Sequence, residues 1–268
     1  MERLCDLFFE FSNEDRLSIL YKLNEEPLNV TRVSRELDIT TQEASRHISR
    51  LNDIGLTYKD PEGLHHLTPL GDIALNQLKG FRFISNNLEY FKNHEVKGLP
   101  DEYLSRIGEL DNSRYYDDVM VIIHNVDQMI REAEQYVYRL TDRYIVTAIP
   151  VWEEAIKKGV EFRLLEPIDI ILPPDFDNGP VLREALRTGQ FKNNVVDEVK
   201  LFLAFSEKEV AAICLPGVDG KMDYRGFSSK DESAIKWVYD IFDYYWRKST
   251  PKTAEIQEAN IERSRGLR

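Results

Sequence analysis

Cysteine is scarce in this sequence: Cys5 and Cys214 are the only two in 268 residues, too few and too far apart for a disulfide framework or a cysteine metal site. Both are expected to be reduced, packed thiols. No apolar run approaches the roughly 18–20 residues that span a bilayer, and the start, Met1-Glu2-Arg3-Leu4-Cys5, lacks a charged region followed by an apolar signal stretch. The expectation is a cytoplasmic chain with no membrane partner. Positive charge is in short supply too. Lys and Arg number 35 against 47 Asp and Glu, a formal net charge of −12, which excludes a chain that coats nucleic acid by bulk attraction, because such binding scales with the phosphates neutralised. Any DNA contact must come from a local surface. Histidine is missing from Tyr136 onward, the five being His47, His65, His66, His94 and His124. There is no Walker loop, no Gly-x-Gly-x-x-Gly and no metal-ligand cluster. No catalytic residue, cofactor or metal is expected.

What is present is an ordinary globular composition, 42% hydrophobic and 31% charged, in a chain long enough for two domains of the usual size. Asn13 can cap a helix whose Leu17, Ile19, Leu20 and Leu23 form an apolar face, and Asn29 can cap a second with Val30, Val33 and Leu37 inward. Thr40-Thr41-Gln42-Glu43 fits a capping box, in which threonine oxygen and glutamate side chain satisfy free backbone donors reciprocally. In the helix that follows, Ala44, Ile48 and Leu51 share one face, while Gln42, Ser45, Arg46, Ser49 and Arg50 lie opposite. That polar set suits base-edge reading, since Arg pairs with guanine, Gln with adenine, and Ser or Thr contacts either base or phosphate. Gly55 ends the helix. Leu56 to Lys59 and His65 to Thr68 then flank Asp60-Pro61-Glu62-Gly63, the pattern of a two-stranded hairpin. From Thr31 to Lys59 five cations meet four carboxylates, a slightly basic stretch in an acidic chain.

From about Leu70 to Gln135 helical periodicity predominates, broken at Gly98-Leu99-Pro100-Asp101 and Asp111-Asn112-Ser113. Beyond it, Tyr136 to Thr141, a helix through Trp152 to Lys158, and Val160 to Leu165 read as a strand-helix-strand unit with parallel pairing. After Pro173-Pro174 and a helix near Val181 to Arg187, Lys200 to Phe205 and Val210 to Leu215 read as a hairpin. A last helix starts near a capping box at Ser229-Lys230-Asp231-Glu232 and buries Ile235, Val238, Ile241, Phe242 and Tyr245. The polar tail, with Arg263, Arg265 and Arg268, has little apolar surface to bury. The expected boundaries are a winged helix-turn-helix over 1–75, a helical linker and dimerisation region over 76–135, an α/β effector domain over 136–248 and a flexible tail over 249–268. The fold class is thus α+β and α/β, with an N-terminal winged helix-turn-helix, a helical linker and a C-terminal α/β sensor domain built on a mixed sheet.

The run Leu51-Asn52-Asp53-Ile54-Gly55-Leu56, then a hairpin, then Leu67-Thr68-Pro69-Leu70-Gly71 resembles winged helix-turn-helix regulators of the ArsR-like group. Ala155 to Leu165 and Trp237 to Trp246, with the hairpin between, resemble the effector half of archaeal TrmB-like sugar regulators, whose fold is similar to phospholipase D. Over residues 1–248 the arrangement is most similar to the archaeal methanogenesis regulators of FilR and Msr type. The resemblance implies a transcription factor, dimerisation and operator binding. Phospholipase D chemistry needs histidines in a His-x-Lys-x-x-x-x-Asp spacing, which this sequence lacks.

The residues expected at DNA are Thr31, Thr41, Gln42, Ser45, Arg46, Ser49 and Arg50, with Lys59 and His65 from the hairpin. The expected partner is double-stranded DNA with a palindromic operator, met by a homodimer, as the resemblance implies. Ligands in α/β sheets commonly sit at the carboxyl ends of strands, which points to Arg139, Thr141 and Glu166, with Asp223, Tyr224 and Arg225 on the loop before the last helix, as contacts for a small-molecule effector. Two other readings stay open on sequence alone: a winged helix that binds protein without specific DNA binding, and an enzyme with an unrecognised site in the α/β domain.

Overall fold

A computed structural model describes residues 2–143, 148–173 and 176–266. Pro174 of the proline pair and Arg268 of the tail lie outside the described residues. The chain divides into two compact units, residues 1–81 and 82–268. Among the described residues no helix is long and apolar enough to cross a membrane.

The first unit holds α1 (Glu2–Phe11), α2 (Glu14–Glu25), α3 (Val30–Glu36), α4 (Thr41–Asp53), β1 (Thr57–Lys59), β2 (His65–Leu67) and the start of α5 (Pro69–Asn86). Three of its helix starts are set by local chemistry. The Asn13 and Asn29 side chains accept from Arg16 N and Arg32 N, each at 2.9 Å. Thr40 and Glu43 form both arms of the capping box, so orphan backbone donors are satisfied before each helix begins. Gly55 takes a φ of +79°, the left-handed turn that lets the chain leave α4 for β1. Beneath these elements Ile19, Leu20, Leu28, Val33, Ala44, Ile48, Leu51 and Leu56 form one buried cluster, each large aliphatic contributing about 1.5–3 kcal/mol on burial. At the root of the hairpin, Thr68 donates from its hydroxyl to the Gly55 carbonyl at 2.6 Å and accepts from Gly71 N at 3.1 Å. A Cβ at Gly71 would stand 2.3 Å from the Leu56 carbonyl oxygen, so only glycine lets α5 come this close.

The second unit contains α6 (Leu88–Asn93), α7 (Asp101–Leu104), a 3-10 turn at Ile107–Leu110, β3 (Arg114–Tyr116), α8 (Val119–Glu132), β4 (Tyr136–Leu140), α9 (Ile149–Lys157), β5 (Glu161–Pro167), α10 (Gly179–Thr188), β6 (Phe191–Val196), β7 (Phe202–Ser206), β8 (Val210–Cys214), β9 (Gly226–Ser229), α11 (Glu232–Lys248), β10 (Thr250–Pro251) and α12 (Ala254–Gly266). Among the described residues eight strands join in one mixed sheet, in the order β10-β6-β5-β4-β7-β8-β9-β3. β4, β5 and β6 run parallel through the crossovers α9 and α10; the remaining pairings, including the β7–β8 hairpin, are antiparallel. One face of the sheet is covered by α8, α9 and α10 around Trp152, Phe162 and Phe202. The other packs on α11 and on Phe83, Tyr90, Leu99, Ile107 and Leu110.

Three expectations change here. Of the region 76–135 expected as a helical linker, the part from Arg82 onward belongs to the second unit: Phe83 to Leu110 bury their apolar side chains on the sheet, β3 is its edge strand, and α8 covers its opposite face. The tail, expected to be flexible, is docked as far as Gly266. Thr250 and Pro251 pair with Val195 and Asn194 of β6, Lys252 forms an ion pair with Glu166 at which both side chains are 5% exposed or less, and the fully buried Asn260 donates to the Ile168 carbonyl at 2.9 Å. The last long helix starts two residues later than its sequence suggests. Ser229 ends β9, and Asp231 is the cap, accepting from Ser233 N at 2.9 Å.

Candidate nucleic-acid interface and ligand cavity

The geometry of α4 follows from its sequence. Ala44, His47, Ile48 and Leu51 turn into the core, which leaves Thr41, Gln42, Ser45, Arg46, Ser49 and Arg50 exposed on the opposite side, where they line one shallow concavity. Thr31 and Lys59 are exposed as well. Among the described residues, no carboxylate pairs with Arg46 or Lys59. Of the residues expected at DNA, the structure gathers the α4 set on one surface and leaves the side chains of Arg46 and Lys59 available.

Two members of that set are placed otherwise. Arg50 points back to α1, donating to both carboxylate oxygens of Glu10 at 2.5 and 3.2 Å. Glu10 is 5% exposed and also meets Arg16 at 2.9 Å. The Arg50 hydrogen bonds hold the Glu10 carboxyl below the usual carboxylate range, against the opposing pull of burial. His65 is 4% exposed. Its strand pairs with Lys59, and its backbone bridges Leu28, so the ring faces inward and cannot reach phosphate. Burial holds its pKa below 6.5. The exposed face of the hairpin is carried by its neighbour, His66, whose ring stacks on Tyr58 at 5.1 Å and bonds Asp60 at 2.7 Å.

In the second unit the expected effector residues separate into three places. Arg139 on β4 and Thr141 just beyond its end, both 2% exposed, alternate with Leu140 and point to the face under α8 and α9. With Tyr224 they border a cavity of about 310 Å³, at the small end of the roughly 300–1,000 Å³ usual for ligand pockets. Its walls are mainly apolar: Val119, Ile122, Ile123 and Val126 from α8, Ala148, and Phe202 from β7, with Asp127 and Arg143 at its border. The Arg139 guanidinium lies 5.3 Å from the Trp152 ring and 5.9 Å from that of Phe202. Tyr224 holds a left-handed backbone, φ +59°, which costs a non-glycine residue roughly 1–2 kcal/mol. Its hydroxyl donates to Asp142 at 2.5 Å. Burial first, and then that bond, pushes the phenol far above its usual range.

Glu166 is not at this cavity. It is completely buried beside Lys252 and Asn193, and desolvation raises its pKa while Lys252 pulls it back down. Asp223 and Arg225 border a separate groove with Tyr90 and His94, where His94 Nε2 lies 3.2 Å from Asp223. Sequence reasoning missed Ile122, Val126 and Phe202 as cavity walls. The signals were the apolar face of α8 for Ile122 and Val126 and the apolar run of β7 for Phe202, which a helix or strand packed on any surface would show. Among the described residues, no group of three His, Cys, Asp or Glu side chains is arranged to hold a metal ion.

Two segments of the chain match known protein families. Residues 13–59 match the model of bacterial regulatory proteins of the arsR family, and residues 123–248 match the middle domain of the methanogenesis regulatory protein FilR1. A search of curated proteins finds no match. Among solved structures the chain is similar to TrmBL2, an archaeal chromatin protein, at 14% identity over 90% of this chain and 94% of that one, TM-score 0.44. It is also similar to NucT from Helicobacter pylori, at 8% identity over 53% and 98%, TM-score 0.39, and to the phospholipase D family member Nuc from Salmonella typhimurium, at 8% over 48% and 89%, TM-score 0.35. The chain thus carries an arsR-type helix-turn-helix ahead of a FilR1 middle domain, the make-up of a DNA-binding transcription regulator.

Proposed function

We propose that this regulator acts as a homodimer that reads a palindromic operator with α4 and the β1–β2 hairpin, and that a small-molecule effector in the cavity under α8 sets its affinity for DNA. The observation that carries the reading is the division of α4: one face sealed in the core, the other presenting Thr41, Gln42, Ser45, Arg46 and Ser49 to solvent. Their hydroxyl, amide and guanidinium groups are those that discriminate base edges in a major groove. Lys59 on the hairpin supplies a phosphate contact that fixes register.

Support for the dimer comes from apolar side chains left in solvent. Leu4, Phe8 and Phe9 of α1 and Leu70, Ile73 and Phe81 of α5 are each 44% exposed or more, with Phe8 and Phe81 meeting edge to face at 5.9 Å. Such a patch favours burial against a second copy. An effector changes DNA affinity only if it binds the operator-competent and incompetent forms unequally.

The test is binding to the DNA upstream of the gene beside random DNA, by fluorescence anisotropy across a salt series. Tighter binding to the upstream fragment that weakens steeply with salt is expected. Arg46→Ala should lower the preference for that fragment by about fivefold to a hundredfold, corresponding to about 1–3 kcal/mol for one base contact. Equal losses on both DNAs would remove Arg46 as a reader of bases, and weak binding to both that is insensitive to salt would favour a protein partner for the winged helix.

A further inference from the structure

By its position on α4, Arg50 belongs to the exposed polar face, but its guanidinium is turned away. It follows Ser49, stands about one turn beyond Arg46 and borders the same concavity, yet its Nε and Nη2 both donate to the Glu10 carboxylate of α1. That edge is the planar fork with which an arginine holds a phosphate. Glu10, 40 positions away in sequence, is 5% exposed, and it stays ionised because the Arg50 bonds and the charge of Arg16 outweigh its burial. Asp53, further along α4, is the other carboxylate acting on Arg50, through charge without a hydrogen bond.

Arg16 makes the pairing reversible. Its Nη2 donates to the Phe9 carbonyl at 2.7 Å and its Nε to the Glu10 carbonyl at 3.0 Å, closing the end of α1, while the same Nε stands 2.9 Å from the Glu10 carboxylate. Both guanidiniums lie over the Phe9 ring, Arg16 at 5.6 Å and Arg50 at 5.4 Å. Arg16 is 6% exposed, whereas the Arg50 side chain is 45% exposed. Arg50 can therefore leave while Glu10 keeps a buried counter-ion, and no unpaired charge remains inside. We propose that Glu10 sets the affinity of this unit for DNA by withholding Arg50 from the phosphate backbone. Discrimination between sequences then falls to Thr41, Gln42, Ser45, Arg46 and Ser49. The inference rests on the reading of α4 as the surface that meets DNA.

The experiment follows fluorescence anisotropy of the full chain on the upstream fragment and on random DNA across a salt series, for the parent, Arg50→Met, Glu10→Gln and the double variant. Arg50→Met should leave the slope of log affinity against log salt as it is in the parent. Glu10→Gln should steepen that slope by about 0.9 on both DNAs, the equivalent of one phosphate contact, and tighten binding about fivefold to tenfold at about 0.1 M salt. Adding Arg50→Met should return both quantities to the parent's values. A damaged fold weakens binding, so a gain that requires Arg50 separates a withheld arginine from a structural role for Glu10. An unchanged slope in Glu10→Gln, or a tightening that survives Arg50→Met, would overturn the proposal. So would a shallower slope in Arg50→Met alone, the measurement that decides the matter should Glu10→Gln fail to fold. Feeble, salt-insensitive binding by the parent would overturn the DNA reading of α4, and the proposal with it.

Discussion

Lys252→Met tests whether the buried pair with Glu166 holds the C-terminal segment on the sheet. Methionine keeps the apolar stem of the lysine and removes its charge, leaving a carboxyl that is completely buried without its counter-ion. Removing one partner of a buried pair costs about 3–5 kcal/mol. At about 2–4 °C per kcal/mol for a unit of this size, the melting transition of residues 82–266 should fall by roughly 6–20 °C at neutral pH. The sign of the pH dependence follows from Glu166. Burial already raises its pKa above 4.5, and Lys252 opposes that rise, so the variant's folded pKa lies higher still. A group with a raised folded pKa binds more protons folded than unfolded. Its contribution is therefore most favourable below the unfolded value and declines as pH climbs toward the folded one. The deficit of Lys252→Met relative to the parent should thus be largest near about pH 8 and shrink near about pH 5. Scanning calorimetry at the two pH values measures it, and Glu166→Gln added to Lys252→Met should regain stability over the single variant. A loss below about 1 kcal/mol, or one equal at both pH values, would refute the argument that the charge is buried and paired.

Three further outcomes follow from the first unit. Glu10→Gln should release Arg50 onto the exposed face of α4 and steepen the salt dependence of DNA binding by about one phosphate contact on operator and random DNA alike; an unchanged slope would mean Arg50 stays off the DNA. His65, with its pKa lowered by burial, contributes stability that is complete above its ordinary 6.5 and is lost as pH falls through that value toward the folded one. The protection of β1 and β2 amides against exchange, relative to their intrinsic rates at each pH, should accordingly fall below about pH 6, and His65→Leu should abolish that change. Phe9→Glu, placing charge on the exposed apolar face of α1, should shift the protein to monomer in sedimentation velocity while its helicity is unchanged; a dimer that persists would place the contact elsewhere.

The parts of the fold legible in the sequence are those fixed within a few residues. Asn13, Asn29 and the Thr40–Glu43 box cap helices through bonds across three residues, and the β4–α9–β5 unit and the β7–β8 hairpin are marked by their hydrophobic runs. What escaped depends on distant partners. Arg50 meets Glu10 from 40 positions away, and α1, ahead of the first obvious cap, was not expected at all. Alternation along a strand sends His65 and His66 to opposite sides, yet only the bridge to Leu28 decides which goes in. β6 hides behind Asn193 and Asn194, which are polar because they meet Glu166 and Ser249 rather than solvent alone. Of the site, the polar face of α4 was readable by periodicity. The separation of Glu166 and Asp223 from Arg139 was not, because strand order and a lysine 86 positions downstream determine it.

The two-residue strand Thr250–Pro251 has a consequence beyond holding the tail. Without it, β6 would be the outer strand of the sheet, with a row of unsatisfied amides and carbonyls able to recruit a strand from another molecule. Proline has no N–H to donate onward, and two residues are too short a template to extend. The edge therefore terminates at Pro251. A chain cut after Lys248, where the FilR1 middle domain match ends, would keep the cavity residues and lose this guard. Such a truncation would be prone to assemble edge to edge, an association distinct from the pairing proposed through α1 and α5.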